Sequence, residues 1–155
     1  MAGRMKKLLP VAFGLLAAGS IHRLPAEPVA SAAQLPRLQA VEPEAALEQF
    51  QLAQGFRIEL AAAEPDVVDP VSMSFDAQGR LYVIEMVGYP ERRQARLGQV
   101  RLLEDADGDG RFEKSTVFAK GLAWPTAVHC WDGGVFVLAS PELVYLRDAD
   151  GDGVA

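Results

Sequence analysis

An aspartate-rich motif occurs twice in the chain and constrains the fold more than any other feature. The run Asp105-Ala-Asp107-Gly-Asp109-Gly110 returns 43 residues later as Asp148-Ala-Asp150-Gly-Asp152-Gly153. A second repeat lies upstream of each motif, where residues 70–83 resemble residues 125–137 at an offset of 54 to 56. The chain therefore contains two copies of one unit, with a period of about 40–50 residues.

Short apolar runs separated by Gly, Pro and Asp fill the chain after Gly55, and this pattern predicts strands joined by turns. The predicted strands are Phe56–Ala62, Val71–Phe75, Arg80–Glu85, Gln99–Glu104, Ser115–Phe118, Ala127–Trp131, Val135–Ala139 and Leu143–Arg147. Four short strands in each repeat unit are typical of a β-propeller blade. We therefore predict an all-β fold, an incomplete β-propeller over residues 42–155. The alternative for the same eight strands is a β-sandwich.

The repeat assigns the strands to blades. The first blade takes the four strands between Val71 and Phe118, and the second takes the three strands between Ala127 and Arg147. The strand Phe56–Ala62 has no partner in either blade, so we expect it to close the ring by joining the last blade. Because propellers have at least four blades, the sequence predicts the N-terminal fragment of a larger propeller.

The N-terminus has the pattern of a secretory signal. Arg4, Lys6 and Lys7 precede the apolar run 8–18, and small residues follow it. We therefore predict a signal peptide over residues 1–19 and an exported protein, periplasmic or at the cell surface. The run is shorter than the about 20 residues of a membrane span, and an uncleaved segment that associates with the membrane is the alternative.

Two further segments precede the first predicted strand. Residues 20–41 are rich in Pro and Ala, which predicts an extended linker. Residues 43–51 begin with Pro and carry a helical apolar stripe, which predicts a short helix.

Composition excludes several classes of function. The chain has 15 Lys+Arg against 21 Asp+Glu, a formal charge of −6, and no basic cluster for phosphate, so nucleic acid is not expected as a partner. A single cysteine excludes an internal disulfide, a cysteine-rich zinc site and a C-x-x-C-H haem attachment within these residues. His129 and Cys130 are predicted to pack on an inner strand.

The first aspartate-rich loop has the spacing of a calcium site. Asp105, Asp107, Asp109 and Glu113 occupy loop positions 1, 3, 5 and 9, and the carbonyl of Arg111 stands at position 7. Calcium takes six to eight oxygen ligands, and a glycine at position 6 permits the sharp turn between them. The alternative is a hairpin turn, since Asp and Gly are common turn residues. A second, incomplete loop carries Asp148, Asp150 and Asp152.

The loop is not an EF-hand. An EF-hand has Glu at position 12, whereas this loop has Thr116, and predicted strands rather than helices flank it.

Loops at the opposite end of the predicted blades provide weaker candidates for a ligand or cofactor site. Propellers bind ligands where such loops gather around the central channel. The polar and aromatic residues expected there are Glu64, Asp69, Glu85, Tyr89, Arg92, Trp124 and Thr126. Ordinary packing or solvation is the alternative for each, and no nucleophile–base pair, phosphate loop or zinc pattern accompanies them.

Seven runs of sequence carry a family resemblance. They are 55–65, 69–70, 75–86, 88–90, 103–113, 121–126 and 133–137. In order and spacing they resemble the N-terminal propeller of the large exported "membrane-bound dehydrogenase" proteins. These proteins are related to glucose/sorbosone dehydrogenases and often carry a C-terminal haem c domain.

The resemblance implies a quinoprotein-like oxidoreductase of a sugar or alcohol. Pyrroloquinoline quinone (PQQ) would lie over the channel and pass an electron to haem c, with the catalytic histidine in later blades, so no catalytic residue is transferred to this chain. We expect this chain alone to be inactive. The alternative function is a non-catalytic, calcium-binding propeller module that binds carbohydrate or protein.

Overall fold

A computed structural model of the chain describes residues 39–155. The predicted signal peptide and most of the predicted linker lie outside the described residues. Within the described part, no helix is both long and apolar enough to cross a membrane. The regular secondary structure of the described residues is mostly β-strand, which confirms the all-β prediction.

The first sheet is an antiparallel meander of four strands in chain order. Its strands are β1 (Pro70–Phe75), β2 (Leu81–Glu85), β3 (Gly98–Glu104) and β4 (Lys114–Leu122). The sequence predicts all four, although it ends the last one at Phe118. β4 is longer because its pairing with β3 continues through two irregularities of register to Gly98, the first residue of β3.

The turn between β1 and β2 is closed by one side chain. The carboxylate of Asp76 accepts hydrogen bonds from the backbone N–H groups of Gln78 and Arg80, both at 2.9 Å. Asp side chains commonly close turns in this way. The turn aligns Phe75 with Leu81 as the first pair of the hairpin.

The second sheet has three antiparallel strands in chain order. They are β5 (Ala127–Trp131), β6 (Gly134–Ala139) and β7 (Glu142–Leu146), in close agreement with the predicted positions. Asp132 and Gly133 form the two-residue turn between the first two of these strands, and both have positive φ. Asp-Gly is a preferred sequence for such a turn because its twist matches that of the strands.

Two predicted elements differ in the structure. The helix predicted over residues 43–51 is one short α-helix, α1 (Pro43–Ala46), followed by a 3₁₀ turn at Leu47–Gln49. It buries no residue, so no tertiary packing stabilises a longer helix. The segment 56–62, predicted as a strand, pairs with no strand among the described residues. A single backbone hydrogen bond, from Phe112 N–H to Ala61 O at 2.8 Å, connects it to the loop between β3 and β4.

The main core lies between the two sheets. The first sheet contributes an inner face made of Tyr82, Ile84, Val100, Leu102 and Phe118. The second contributes an inner face of Val128, Val135, Val137 and Ala139, with Cys130, Val144 and Leu146 packed beside them. Alternate residues of each strand point to opposite faces, so about every second residue of these strands points into this core.

The outer faces of the two sheets are covered unequally. On the first sheet, Leu81, Val83 and Leu103 form a smaller cluster with Phe112, and the cluster is packed against Ala62 and Val67 of the preceding segment. The outer face of the second sheet is exposed along its length. Its members are Ala127, His129, Trp131, Phe136, Leu138, Leu143 and Tyr145.

Candidate metal centre

The first aspartate-rich loop joins β3 to β4 at one end of the first sheet. Asp105 follows the last residue of β3, and Glu113 precedes the first residue of β4. The antiparallel pair Glu104 and Lys114 fixes the two ends of the loop, and their side chains form an ion pair of 2.5 Å. The hairpin thereby brings loop positions 1 and 9 together.

The side chain of Asp105 organises the loop. Its two carboxylate oxygens accept hydrogen bonds from the N–H groups of Gly108, at 2.7 Å, and Gly110, at 2.9 Å. Both glycines have positive φ, near 80° and 92°, which other residues rarely adopt. The sharp turn expected at position 6 is therefore present.

Four carboxylates converge in this loop. One oxygen each from Asp105, Asp107, Asp109 and Glu113 lies within 4.8 Å of the other three. Calcium–oxygen distances are about 2.3–2.6 Å, so two ligands on opposite sides of one ion are about 5 Å apart. The four oxygens thus span no more than the width of one calcium shell.

The second aspartate-rich loop repeats the two glycine hydrogen bonds of the first. Asp148 accepts hydrogen bonds from Gly151 N–H at 2.7 Å and from Gly153 N–H at 2.9 Å. These are the same loop positions and the same distances as in the first loop. One oxygen each from Asp148, Asp150 and Asp152 lies within 4.8 Å of the others.

These hydrogen bonds favour the ionised carboxylates. The N–H of Gly110, followed by that of Gly108, lowers the pKa of Asp105 below its ordinary value. The N–H groups of Gly153 and Gly151 lower the pKa of Asp148 in the same way. Asp105 and Asp148 are therefore held in the charged form that a cation requires.

Arg111 contributes a backbone turn contact and an ion pair. Its N–H donates a 2.7 Å hydrogen bond to Asp109, and its guanidinium lies 3.5 Å from the carboxylate of Glu44. The guanidinium therefore pairs with α1 rather than with the loop carboxylates.

Glu85, one of the residues expected at the channel, is instead fully buried. One carboxylate oxygen accepts the N–H of Val68 at 2.7 Å, and the carboxylate also contacts the amide of Gln99 and the guanidinium of Arg101. The alternation of β2 places Glu85 on the outer face, beneath the segment that enters β1. In the structure, Glu85 forms a buried ion pair with Arg101.

Tyr89 and Trp124 are the two predicted residues that the structure brings together. Their rings meet edge to face at a centroid distance of 5.1 Å. Arg93, which the sequence did not single out, lies over the Trp124 ring at 5.2 Å and donates a 2.7 Å hydrogen bond to Ser140 O. The indole N–H of Trp124 is buried without a hydrogen-bond partner.

The remaining predicted loop residues do not form one site. Asp69 lies with Tyr89 at an open cleft of about 330 Å³, and Thr126 bonds Leu138 O at the end of the second sheet. Glu64 and Arg92 are exposed. Of the predicted loop residues, only Tyr89 and Trp124 therefore contact each other through their side chains, and the polar residues lie apart.

The residues His129 and Cys130 occupy adjacent positions on β5 and point to opposite faces. Cys130 is half-buried on the inner face, where its N–H donates to the hydroxyl of Ser74 at 3.3 Å. His129 is exposed on the outer face. The predicted packing role therefore fits the cysteine and is wrong for the histidine.

Comparison with known proteins gives a family without an assigned role. A family model described as a domain of unknown function (DUF7133) matches residues 42–155. The chain belongs to the DUF7133 family. No curated protein and no solved structure matches the chain. The DUF7133 match includes α1, all seven strands and both aspartate-rich loops.

Proposed function

We propose that this DUF7133 chain is a calcium-stiffened β-propeller module that contributes two successive blades. Each aspartate-rich loop binds one Ca²⁺, which fixes the turn at the end of its blade. The observation that carries this proposal is that Asp105 and Asp148, 43 residues apart, each accept hydrogen bonds from the two glycine N–H groups at the same positions of their loops.

The packing of the sheets supports the propeller over the sandwich. Tyr82 and Ile84 lie on the inner face of the first sheet, and their repeat equivalents 54 residues later, Phe136 and Leu138, lie on the outer face of the second. The same change of face relates Leu102 to Tyr145, 43 residues later.

In a propeller, the front of each blade packs on the back of the next, so equivalent residues lie on opposite sides of the shared core. In a sandwich of two equivalent sheets, equivalent inner faces would meet. The observed exchange of faces therefore favours successive blades.

The proposed role of calcium is to neutralise the repulsion between the carboxylates of each loop. Three or four carboxylates crowd into each loop, and their side chains are mostly exposed. Without a cation, their mutual repulsion opposes the compact turn. A bound Ca²⁺ removes that repulsion and adds bonds that only the folded loop provides, so it stabilises the folded state.

Calcium titration of the full chain tests this proposal. Isothermal titration calorimetry should detect two sites with Kd on the order of 10⁻⁴ to 10⁻³ M, and Mg²⁺ should bind more weakly because it demands a tighter octahedral shell. At a hundredfold excess over Kd, each site should stabilise the fold by about 2.7 kcal/mol. The melting temperature should rise accordingly.

Substitutions at position 3 of each loop provide the controls. Asp107→Asn and Asp150→Asn should each remove one binding event, and the double variant should remove both. Glu91→Gln, an exposed acid outside both loops, should bind calcium as the wild type does. Calcium-independent melting of the wild type, or equal shifts in the wild type and the double variant, would show that the loops are only turns.

For the protein to which such a module belongs, we propose an exported quinoprotein-like dehydrogenase of a sugar or alcohol. Its support is the resemblance of residues 55–137 to the membrane-bound dehydrogenase propellers. Among the described residues, these arginines already have partners: Arg93 lies on Trp124, Arg96 donates to Gly121 O, and Arg101 pairs with Glu85. The single cysteine also provides no C-x-x-C-H haem attachment.

We therefore assign no catalytic residue to this chain and propose that it is inactive alone. Purified chain mixed with PQQ, a sugar or alcohol panel and an electron-accepting dye should show no dye reduction. Substrate-dependent reduction above the protein-free rate would overturn this part of the proposal and leave the calcium sites untouched. The non-catalytic alternative, a module that binds carbohydrate or protein, predicts carbohydrate or protein binding without turnover.

A further inference from the structure

A cleft of about 350 Å³ lies between the two sheets, at the end where β1 turns into β2 and β5 turns into β6. Asp76 and Gln78 line it from the first of these turns, and Asp132 lines it from the second. Tyr82 and Cys130 line it from the inner faces of the sheets. Small-molecule sites occupy about 300–1,000 Å³, so this turn cleft has the size of such a site.

Tyr82 brings a hydroxyl with no protein partner to the turn cleft. The residue is 3% exposed, and its ring packs edge to face on Phe118 at a centroid distance of 5.0 Å. Among the described residues, its hydroxyl forms no hydrogen bond. Tyrosine hydroxyls that are buried usually have a hydrogen-bond partner. We therefore expect the partner of this hydroxyl to be a molecule that enters the cleft.

The internal repeat shows that packing alone does not require this hydroxyl. Tyr82 is equivalent to Phe136, 54 residues later in the sequence. Phe136 has the same aromatic ring without a hydroxyl, and it packs on Tyr145 at a centroid distance of 5.0 Å. The position therefore holds a ring in both sheets, whereas the hydroxyl is specific to the copy that borders the turn cleft.

The two aspartates at the turn cleft differ in their partners. Asp76 closes its own turn and pairs with the guanidinium of Arg80 at 2.7 Å, so its charge is compensated. Asp132 is its equivalent in the repeat, 56 residues later. The backbone carbonyl of Asp132 accepts the Tyr145 hydroxyl at 3.0 Å, but its exposed carboxylate has no hydrogen-bond or ion-pair partner in the described part of the chain. This carboxylate can therefore accept hydrogen bonds from a ligand.

We propose that the turn cleft binds a small, neutral, polyhydroxylated molecule, a monosaccharide or a polyol. The Tyr82 hydroxyl, the Asp132 carboxylate and the Gln78 amide together offer both donors and acceptors, as several ligand hydroxyls require. The described residues that line the cleft include no lysine or arginine, so a carboxylate or a phosphate has no counter-charge there. The proposal depends on the packing of the two sheets, and not on calcium binding or on dehydrogenase activity.

The inner end of the turn cleft is uncharged at neutral pH, which favours a neutral ligand over an ammonium ion. Burial raises the pKa of Tyr82, and burial also raises the pKa of the Cys130 thiol. Both groups therefore stay protonated, and the Tyr82 hydroxyl can donate one hydrogen bond and accept others. A cation placed at this end would lose hydration without gaining a charged partner.

Backbone-amide NMR spectra of the isotope-labelled full chain test the proposal. Titration with D-glucose and with glycerol should shift the amide signals of Gln78, Gly133 and Gly134, which border the turn cleft. Tyr82→Phe keeps the packed ring and removes only the hydroxyl, so it should weaken binding about tenfold, the effect of one hydrogen bond. Tyr89→Phe removes a hydroxyl beyond the other end of β2 and should bind as the wild type does.

Asp132→Asn provides a second variant that leaves the core untouched. Asn-Gly, like Asp-Gly, is a preferred sequence for this two-residue turn, so the hairpin of β5 and β6 is retained. The amide oxygen still accepts a hydrogen bond, but a charged acceptor forms the stronger bond. Asp132→Asn should therefore weaken binding by about threefold, less than Tyr82→Phe. Circular dichroism checks that both variants are folded.

Equal affinity of the wild type and both variants would overturn the proposal. An absence of amide shifts with D-glucose and glycerol would also overturn it and would show a cleft that holds water only. Shifts of the same amides with ethylammonium, and with neither neutral probe, would show a cation site instead. Calcium titration of Tyr82→Phe should match that of the wild type, so failure of the turn cleft and failure of the calcium sites are separate results.

Discussion

The carboxylate of Glu85 is fully buried and lies 3.3 Å from the guanidinium of Arg101. It also accepts the N–H of Val68, so one side chain joins β2, β3 and the segment that enters β1. A buried charge that loses its partner is costly, because the remaining group stays desolvated without compensation. This cluster is therefore a point where a small change has a large effect on stability.

We expect Glu85→Ala to destabilise the fold by about 3–5 kcal/mol, the range for breaking a buried ion pair. Glu85→Gln keeps an acceptor for Val68 and should cost less. Chemical denaturation measures both, with Glu91→Ala as the exposed control, expected within about 0.5 kcal/mol of the wild type. Equal midpoints for Glu85→Ala and the control would contradict the assignment.

A second prediction concerns the close approach of Gly98 to the start of the second sheet. A Cβ at Gly98 would lie 2.8 Å from the Cγ of Pro125, which is fully buried, and 2.9 Å from Leu122 O. Both neighbours are rigid, so the clash cannot be relieved by a side-chain rotation. Gly98→Ala should therefore destabilise the fold by about 1–3 kcal/mol or more, the cost of overpacking.

Gly79 offers the matched control, since a Cβ there meets nothing within 4 Å and only its positive φ of 81° is unfavourable. Asn tolerates this backbone conformation, so Gly79→Asn should stay within about 1 kcal/mol of the wild type. Thermal melts compare the two variants. A Gly98→Ala variant as stable as Gly79→Asn would exclude the close approach.

Local patterns in the sequence predicted most of the strands. β5 matches its prediction at both ends, because the Asp132-Gly133 turn fixes where the hairpin reverses. The repeated aspartate motif likewise predicted both loops, since their conformation depends on hydrogen bonds within six residues. The prediction of a strand at 56–62 was wrong, because this segment pairs with no strand edge among the described residues.

Contacts between segments that are distant along the chain could not be predicted from the sequence. Glu85 was expected in a loop site and is buried, because its position depends on β2 alternation and on the path of residue 68 above it. The position of Arg93 over Trp124 joins two loops that are 31 residues apart, and no local pattern indicates it. Pairings of this kind depend on how the two sheets pack.

A third prediction uses Cys130, the single cysteine of the chain. Burial raises the pKa of its thiol, and a hydrogen bond with Ser74 offsets part of that effect. The thiolate is the reactive form, so iodoacetamide should alkylate the folded chain more slowly than the urea-unfolded chain at pH 8. Mass spectrometry measures the two rates, and equal rates would contradict the buried position.

The raised pKa of the Cys130 thiol also predicts how the stability of the fold changes with pH. A thiol that is harder to ionise when folded contributes stability that is complete below the unfolded pKa, about 8.5. That contribution is lost as pH rises through the higher folded value. Denaturation at pH 7 and pH 10 should therefore show a larger alkaline loss for the wild type than for Cys130→Ser.

The last prediction concerns Arg93, which connects the loop after β2 to the second sheet. Its guanidinium lies 5.2 Å from the centre of the Trp124 ring and donates a 2.7 Å hydrogen bond to Ser140 O, in the turn between β6 and β7. Arg93→Ala removes both contacts. The free energy of unfolding should fall by about 1–2 kcal/mol. An exposed cation–π contact contributes about 0.5–1 kcal/mol and a hydrogen bond about 1 kcal/mol.

Tryptophan fluorescence gives this prediction a local readout. In a Trp131→Phe background only Trp124 emits, so its emission reports the environment beneath Arg93. Arg93→Ala should shift the emission to the red, because the ring becomes more accessible to water. Arg93→Lys keeps the charge but not the planar group that stacks on the ring, so it should give an intermediate shift. Arg92→Ala, an exposed neighbour, should leave the spectrum unchanged, and an equal shift for Arg92→Ala and Arg93→Ala would contradict the specific contact.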